Sequence, residues 1–304
     1  MNLFKLSFLI LGLSVVLSFA GVAEAKLNVV TTIPDLAVVV SEIGGDNVSV
    51  QSISKGTQDP HFIEAKPSYM VKVSHSDLVV SLGLELEIGW LPPILQGARN
   101  PKVMPGTKGY LELGPYIDPI EVPKEKVTRA EGDVHPFGNP HFNLDPIRMG
   151  VVAVKIAERL GELDPEHAAS YADQAQKLKL RLEEKAKSWQ ARINKTGMKE
   201  IITYHKTLNY FFDRFGIENP INLESKPGIP PTAQHILEVI KVAKEQKIKL
   251  IMVENFFDTS FAERITREVP GLRVVIIPVE VGGDPSIKTL DDLYEKIVSV
   301  IEGE

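Results

Sequence analysis

Histidine is the side chain here best suited to soft-metal or acid–base chemistry, because the chain has seven histidines and no cysteine. Three of the seven stand where a ligand could be held. His61 lies in Gln58-Asp59-Pro60-His61-Phe62-Ile63-Glu64, and Lys66-Pro67-Ser68 then starts a helix. His141 lies in Gly138-Asn139-Pro140-His141-Phe142-Asn143-Leu144-Asp145-Pro146, again with a proline before the histidine and a helix start a few residues on. His205 closes a short strand in Tyr204-His205-Lys206. Imidazole suits zinc, copper, iron and nickel, whereas oxygen-only sites suit magnesium and calcium. Three imidazoles with one carboxylate or water make a tetrahedral zinc site.

Read from the residues alone, the fourth ligand is open. Glu280 follows an apolar strand in Pro278-Val279-Glu280-Val281-Gly282-Gly283; Asp284, Asp59, Glu64 and a water compete with it. His135, in Glu131-Gly132-Asp133-Val134-His135-Pro136-Phe137-Gly138, reads as a plain loop histidine or as an accessory capture ligand. His75, His167 and His235 fall in helical stretches and read as structural or exposed. Trp90-Leu91-Pro92-Pro93 reads as lobe packing rather than as a ligand box.

The elements that must position these residues alternate between strand and helix. Leu27–Val30, Val48–Ile53 and Leu78–Val80 read as strands, with a helix closed by Gly44-Gly45-Asp46 after the first. A second set follows later: Ile201–Tyr204, Leu250–Val253 and Val274–Ile277 as strands, with helices over Leu208–Phe215, Thr232–Lys244 and Leu290–Ile301. This grammar implies parallel sheets with helices packed on them, whose strands present ligands at their carboxyl ends. Between the two sets, Asp145-Pro146 caps a helix expected to end at Gly161, and Asp164-Pro165-Glu166 repeats the start signal. Tyr171, Ala175, Leu178, Leu182, Ala186 and Trp189 then recur at spacings of three and four. They predict a long amphipathic helix to about Asn194, with Gly197 beyond it. The expected organisation is an N-terminal α/β lobe over 26–147, a helical connector over 148–196 and a C-terminal α/β lobe over 197–304.

Residues 1–25 read as a cleavable signal peptide: Lys5, an apolar run from Leu6 to Phe19, and Ala23-Glu24-Ala25 at the cleavage position. The run is shorter than the ~20 residues a membrane span needs. With no cysteine there is neither a disulfide framework nor a lipid-modified N-terminus, so a periplasmic protein with a self-sufficient core is expected. A formal net charge of −6 argues against nucleic acid as a partner. No H-E-x-x-H helix or other hydrolase motif accompanies the histidines, which weighs against the competing reading of a secreted zinc enzyme.

Asp59-Pro60-His61, Asn139-Pro140-His141 with Leu144-Asp145-Pro146, Tyr204-His205 with Tyr210-Phe211, and Val253-Glu254-Asn255-Phe256 come in a characteristic order. In this set, over about residues 27 to 302, the chain resembles the cluster A-I metal-binding proteins of zinc and manganese ABC importers. The resemblance implies two α/β lobes with parallel sheets bridged by one long α-helix, and a divalent metal held in the cleft. It implies delivery of the metal to a membrane ABC permease, and a monomer is expected. It places the first two ligands on His61 and His141 and the third on His205, where manganese-type members usually carry Glu, so Zn²⁺ is the expected cargo and Mn²⁺ or Fe²⁺ the alternative. The fourth position, commonly Asp, falls on Glu280. Asn143 stands where tryptophan is frequent, and of the histidine-rich loop of many zinc members only His135 remains.

Overall fold

A computed structural model describes residues 26–125, 132 and 134–303. The expected signal peptide, and Glu131 and Asp133 of the His135 loop, lie outside the described residues.

The first sheet is four-stranded, parallel, in the order β2-β1-β3-β4, built from β1 (Leu27–Thr31), β2 (Val48–Ser52), β3 (Leu78–Ser81) and β4 (Tyr110–Glu112). The second is three-stranded and parallel, β5-β6-β7, from β5 (Ile202–Thr203), β6 (Leu250–Glu254) and β7 (Arg273–Ile277). β3 and β6 are buried along their whole length, as parallel strands covered on both faces should be. Around the first sheet lie α1 (Pro34–Gly44), α2 (Pro67–Ser74) and α3 (Leu91–Ala98); around the second, α6 (Asn209–Phe215), α7 (Ala233–Glu245), α8 (Ser260–Glu268) and α9 (Leu290–Glu302).

Between the sheets in sequence run α4 (Pro146–Leu163) and α5 (Ala168–Thr196). α5 has 29 residues, about 43 Å at 1.5 Å per residue. It is rich in Ala, Leu, Lys, Glu and Arg, all good helix formers. It buries Tyr171, Ala175, Leu178, Leu182, Ala186, Trp189 and Ile193 and ends on Gly197 in the left-handed region at φ 68°. Its polar side is tied to neighbours: Arg181 pairs with Glu42 of α1 and Asp291 of α9, and Arg192 with Glu295 and Glu302 of α9. One hydrophobic core runs from Leu36 of α1 through Tyr171 and Leu182 of α5 to Leu250 of β6 and Ile297 of α9. Among the described residues no helix is long and apolar enough to cross a membrane.

Two boundaries differ from the sequence reading. α4 does not stop at Gly161 but passes through it to Leu163. The glycine is there for space, since a Cβ would come within 2.8 Å of Ala168 Cβ at the start of α5. Asp164 does not start α5; it hydrogen-bonds His167 and Tyr171, and the helix begins at Ala168.

Candidate metal centre

Three of the four residues singled out as ligands sit beyond the carboxyl end of a parallel strand: His61 after β2, His205 after β5, Glu280 after β7. His141 comes instead from the turn leading into α4. That turn is held by Asp145, whose buried carboxylate accepts from Ile147 N at 2.9 Å and pairs with Arg148 and, from α6, Arg214.

The structure brings His61, His141 and His205 together. One ring nitrogen from each lies within 4.8 Å of those of the other two. The ring centroids are 5.0 Å apart for His61 and His141, and 5.3 Å for His205 with either. Nε2 of His61 and of His141 are buried and have no hydrogen-bond partner among the described residues. A buried nitrogen left unpaired costs free energy unless something accepts its lone pair, and a cation does so. His61 is oriented from behind: Asp59 Oδ1 lies 2.7 Å from Nδ1 and accepts from the His61 backbone N at 3.0 Å. A carboxylate can only accept, so Nδ1 carries the proton and Nε2 keeps its lone pair for a metal. Glu224 does the same for His205 Nδ1. His141 has its backbone N bound to Asn139 Oδ1 at 2.9 Å, while Asn139 Nδ2 reaches Lys206 O at 3.0 Å beside His205. Trp90, read as packing, also aims the His61 loop: its indole N–H donates to Pro60 O at 2.8 Å.

Burial, then the nearby His61 and His205, hold His141 well below the usual histidine range. Asp59 is held below the carboxylate range because the hydrogen bonds and charge of His61 outweigh its burial, which alone would raise it. Burial pushes Glu254, which accepts from His205 N, up to about 8.

Of the competitors for the fourth position, three are engaged elsewhere. Asp59 is bound to His61; Glu64 is exposed beside Lys66; Asp284 is exposed and caps Ser286. Glu280 lies outside the three-histidine set as defined by mutual distance. It is nonetheless 2% exposed, with Oε2 unpaired. Burial, together with Asp35, Asp59 and Glu87, pushes its carboxyl well above the usual range. A buried carboxyl among carboxylates is a place where a cation is favoured. His135 stacks on His61 with centroids 5.3 Å apart, and its Nε2 is also buried, with no partner among the described residues; burial lowers it to about 3. His75, His167 and His235 lie elsewhere, bonded to Val71 O, Asp164 and Asn222 O respectively. Sequence reasoning does not reach Glu224, since nothing in the spacing of Glu224-Ser225-Lys226 relates it to His205.

Two small parallel sheets joined through a long helix, with a buried trihistidine cluster between their carboxyl edges, define a metal-binding protein of the two-lobed solute-binding class. Residues 29–302 match the family described as zinc-uptake complex component A, periplasmic (ZnuA), and the chain belongs to it. Among curated relatives it is 25% identical to the iron-binding protein YfeA of Yersinia pestis, over 86% of this chain and 82% of that one. It is 26% identical to the metal ABC transporter substrate-binding lipoprotein SloC of Streptococcus mutans, over 87% and 86%. The zinc-binding protein AdcA of Streptococcus pyogenes is 24% identical, over 90% of this chain but 54% of its own length. Among solved structures, a crystal structure of ZnuA superposes with a TM-score of 0.78 at 24% identity, covering 91% of this chain and 98% of that chain.

Proposed function

We propose that this chain is the metal-capturing component of an ABC importer, holding Zn²⁺ between its two lobes through His61, His141, His205 and Glu280 and delivering it to a membrane permease. The observation that carries the reading is the convergence of three histidine side chains, two of them with buried, unpaired Nε2 atoms and two with their Nδ1 atoms held by carboxylates. That is a preformed nitrogen-rich cage. Nitrogen donors favour zinc over manganese, and a single carboxylate does not reverse the preference. The relative named for iron supports Fe²⁺ as an alternative cargo, beside the Mn²⁺ that the family resemblance implies. The family's description supports a periplasmic location, and the name of SloC supports an ABC permease as partner. We read the site as one of binding rather than hydrolysis, and the lobes as 26–147 and 197–304 joined by 148–196.

The test is metal content and competitive zinc titration on residues 26–304, with His61→Ala, His141→Ala and His205→Ala beside the parent. One zinc per chain, lost or much weakened in each variant, is expected. Zinc binding that survives all three substitutions would overturn the assignment.

A further inference from the structure

The segment that carries Glu280 is fastened to the first lobe, although it belongs in sequence to the second. Asp35, in the first turn of α1, accepts from Val281 N through Oδ2 at 3.1 Å, a contact between residues 246 apart. Its other oxygen accepts from Asn143 Nδ2 at 3.3 Å, and the same amide reaches Val279 O at 3.4 Å. Asn143 is itself held by Tyr294, whose hydroxyl donates to its carbonyl at 2.7 Å. Next to these, Asn255 Nδ2 donates both to Gly56 O at 3.0 Å and to Gly283 O at 3.1 Å. Gly56 packs so closely that a Cβ there would lie 2.3 Å from Val281 O. Val279 and Val281 sit in the main core, and Gly283 N closes a turn onto Glu280 O at 3.0 Å. Asp35 is fully buried, and its two oxygens are engaged by the Val281 backbone N–H and the Asn143 side-chain amide.

We propose that Asp35, acting through Asn143 and the Val279–Val281 backbone, is the positioning residue that aims Glu280 at the metal from the first lobe. This rests on the reading of Glu280 as the fourth ligand. It assigns a task to Asn143, a small amide that can reach Asp35 and Val279 O at once. Removing a residue that orients a ligand costs about 10–100-fold in metal affinity.

A double-substitution cycle, read by competitive zinc titration on residues 26–304, separates positioning from mere structural support. Asp35→Ala is expected to weaken zinc binding about tenfold when Glu280 is present. In a Glu280→Ala background it should change affinity little, because the group it aims is gone. The visible spectrum of the Co²⁺-loaded protein is expected to change in the same way in Asp35→Ala and in Glu280→Ala. Should Asp35→Ala fail to fold, Asn143→Ala carries the same cycle. Equal weakening in both backgrounds would make the contact structural only and overturn the proposal. Weakening by Glu280→Ala with no effect of Asp35→Ala would leave the ligand standing and remove the clamp. Undiminished zinc binding by Glu280→Ala would remove the ligand itself, and the clamp's purpose with it.

Discussion

Glu224 holds His205 by its Nδ1, across 19 residues of chain that leave β5 and return to it. Both side chains are buried, and Glu224 Oε2 also accepts from Gly228 N at 3.0 Å, so the carboxylate is fixed before it fixes the ring. An imidazole backed by a carboxylate is a stronger donor and enters the site already in the right tautomer.

Glu224→Gln should therefore weaken zinc binding by roughly 10–100-fold while leaving one zinc per chain. Calorimetry or competition with a chromophoric chelator reads this directly. An unchanged dissociation constant would show that the ring needs no such support.

His205→Glu tests the nitrogen count. With one imidazole exchanged for a carboxylate, the ratio of manganese to zinc affinity should rise, since harder ions prefer oxygen. Zinc should remain the tighter ligand in absolute terms, as the order of divalent stabilities requires. A ratio that does not move would take His205 out of the coordination sphere.

Gly56→Ala probes the contact between the lobes. The added methyl would meet Val281 O at 2.3 Å and Gly283 N at 2.4 Å, both backbone atoms that cannot turn aside. Relief by moving the two segments apart should cost about 1–3 kcal/mol, a fall of several degrees in melting temperature. A melting temperature equal to the parent's would mean that the interface yields freely.

The helix pair α5–α9 makes a pH prediction. Burial alone would raise the Glu295 carboxyl, but the Trp189 N–H at 2.9 Å and the Arg192 guanidinium hold it below its ordinary value of 4.5. The native state then binds fewer protons than the unfolded chain in that range. The stability from this contact is present above about pH 4.5 and is lost as pH falls through the lower folded value. Arg192→Ala should lower the melting temperature at pH 7, and the gap from the parent should narrow towards pH 3. A gap that is constant with pH would deny the ion pair any part in it.

His61, His141 and His205 were legible because proline-bound loops and strand ends are where a parallel sheet presents ligands. The long helix was legible because its apolar stripe keeps helical period for seven buried positions. Three things were not. β4 has three residues, too few for any periodicity to register. Gly161 reads as a helix stop, yet its role is close packing against Ala168, which depends on a neighbouring helix. Glu224 and Asp35 act on His205 and Val281 through contacts made only when the chain is folded, and no local spacing encodes them.

The core that joins Leu36 to Leu250 and Ile297 without a break also has a mechanical meaning. Two lobes with separate interiors can swing like the covers of a book; these share a spine of packed side chains, and swinging would tear it. Whatever lets an ion in or out must be achieved by sliding and local yielding at the rim. For the same reason, heat should find no half of the molecule to melt first: a calorimeter would record a single peak, and a metal ion caught between the lobes would move that whole peak upward.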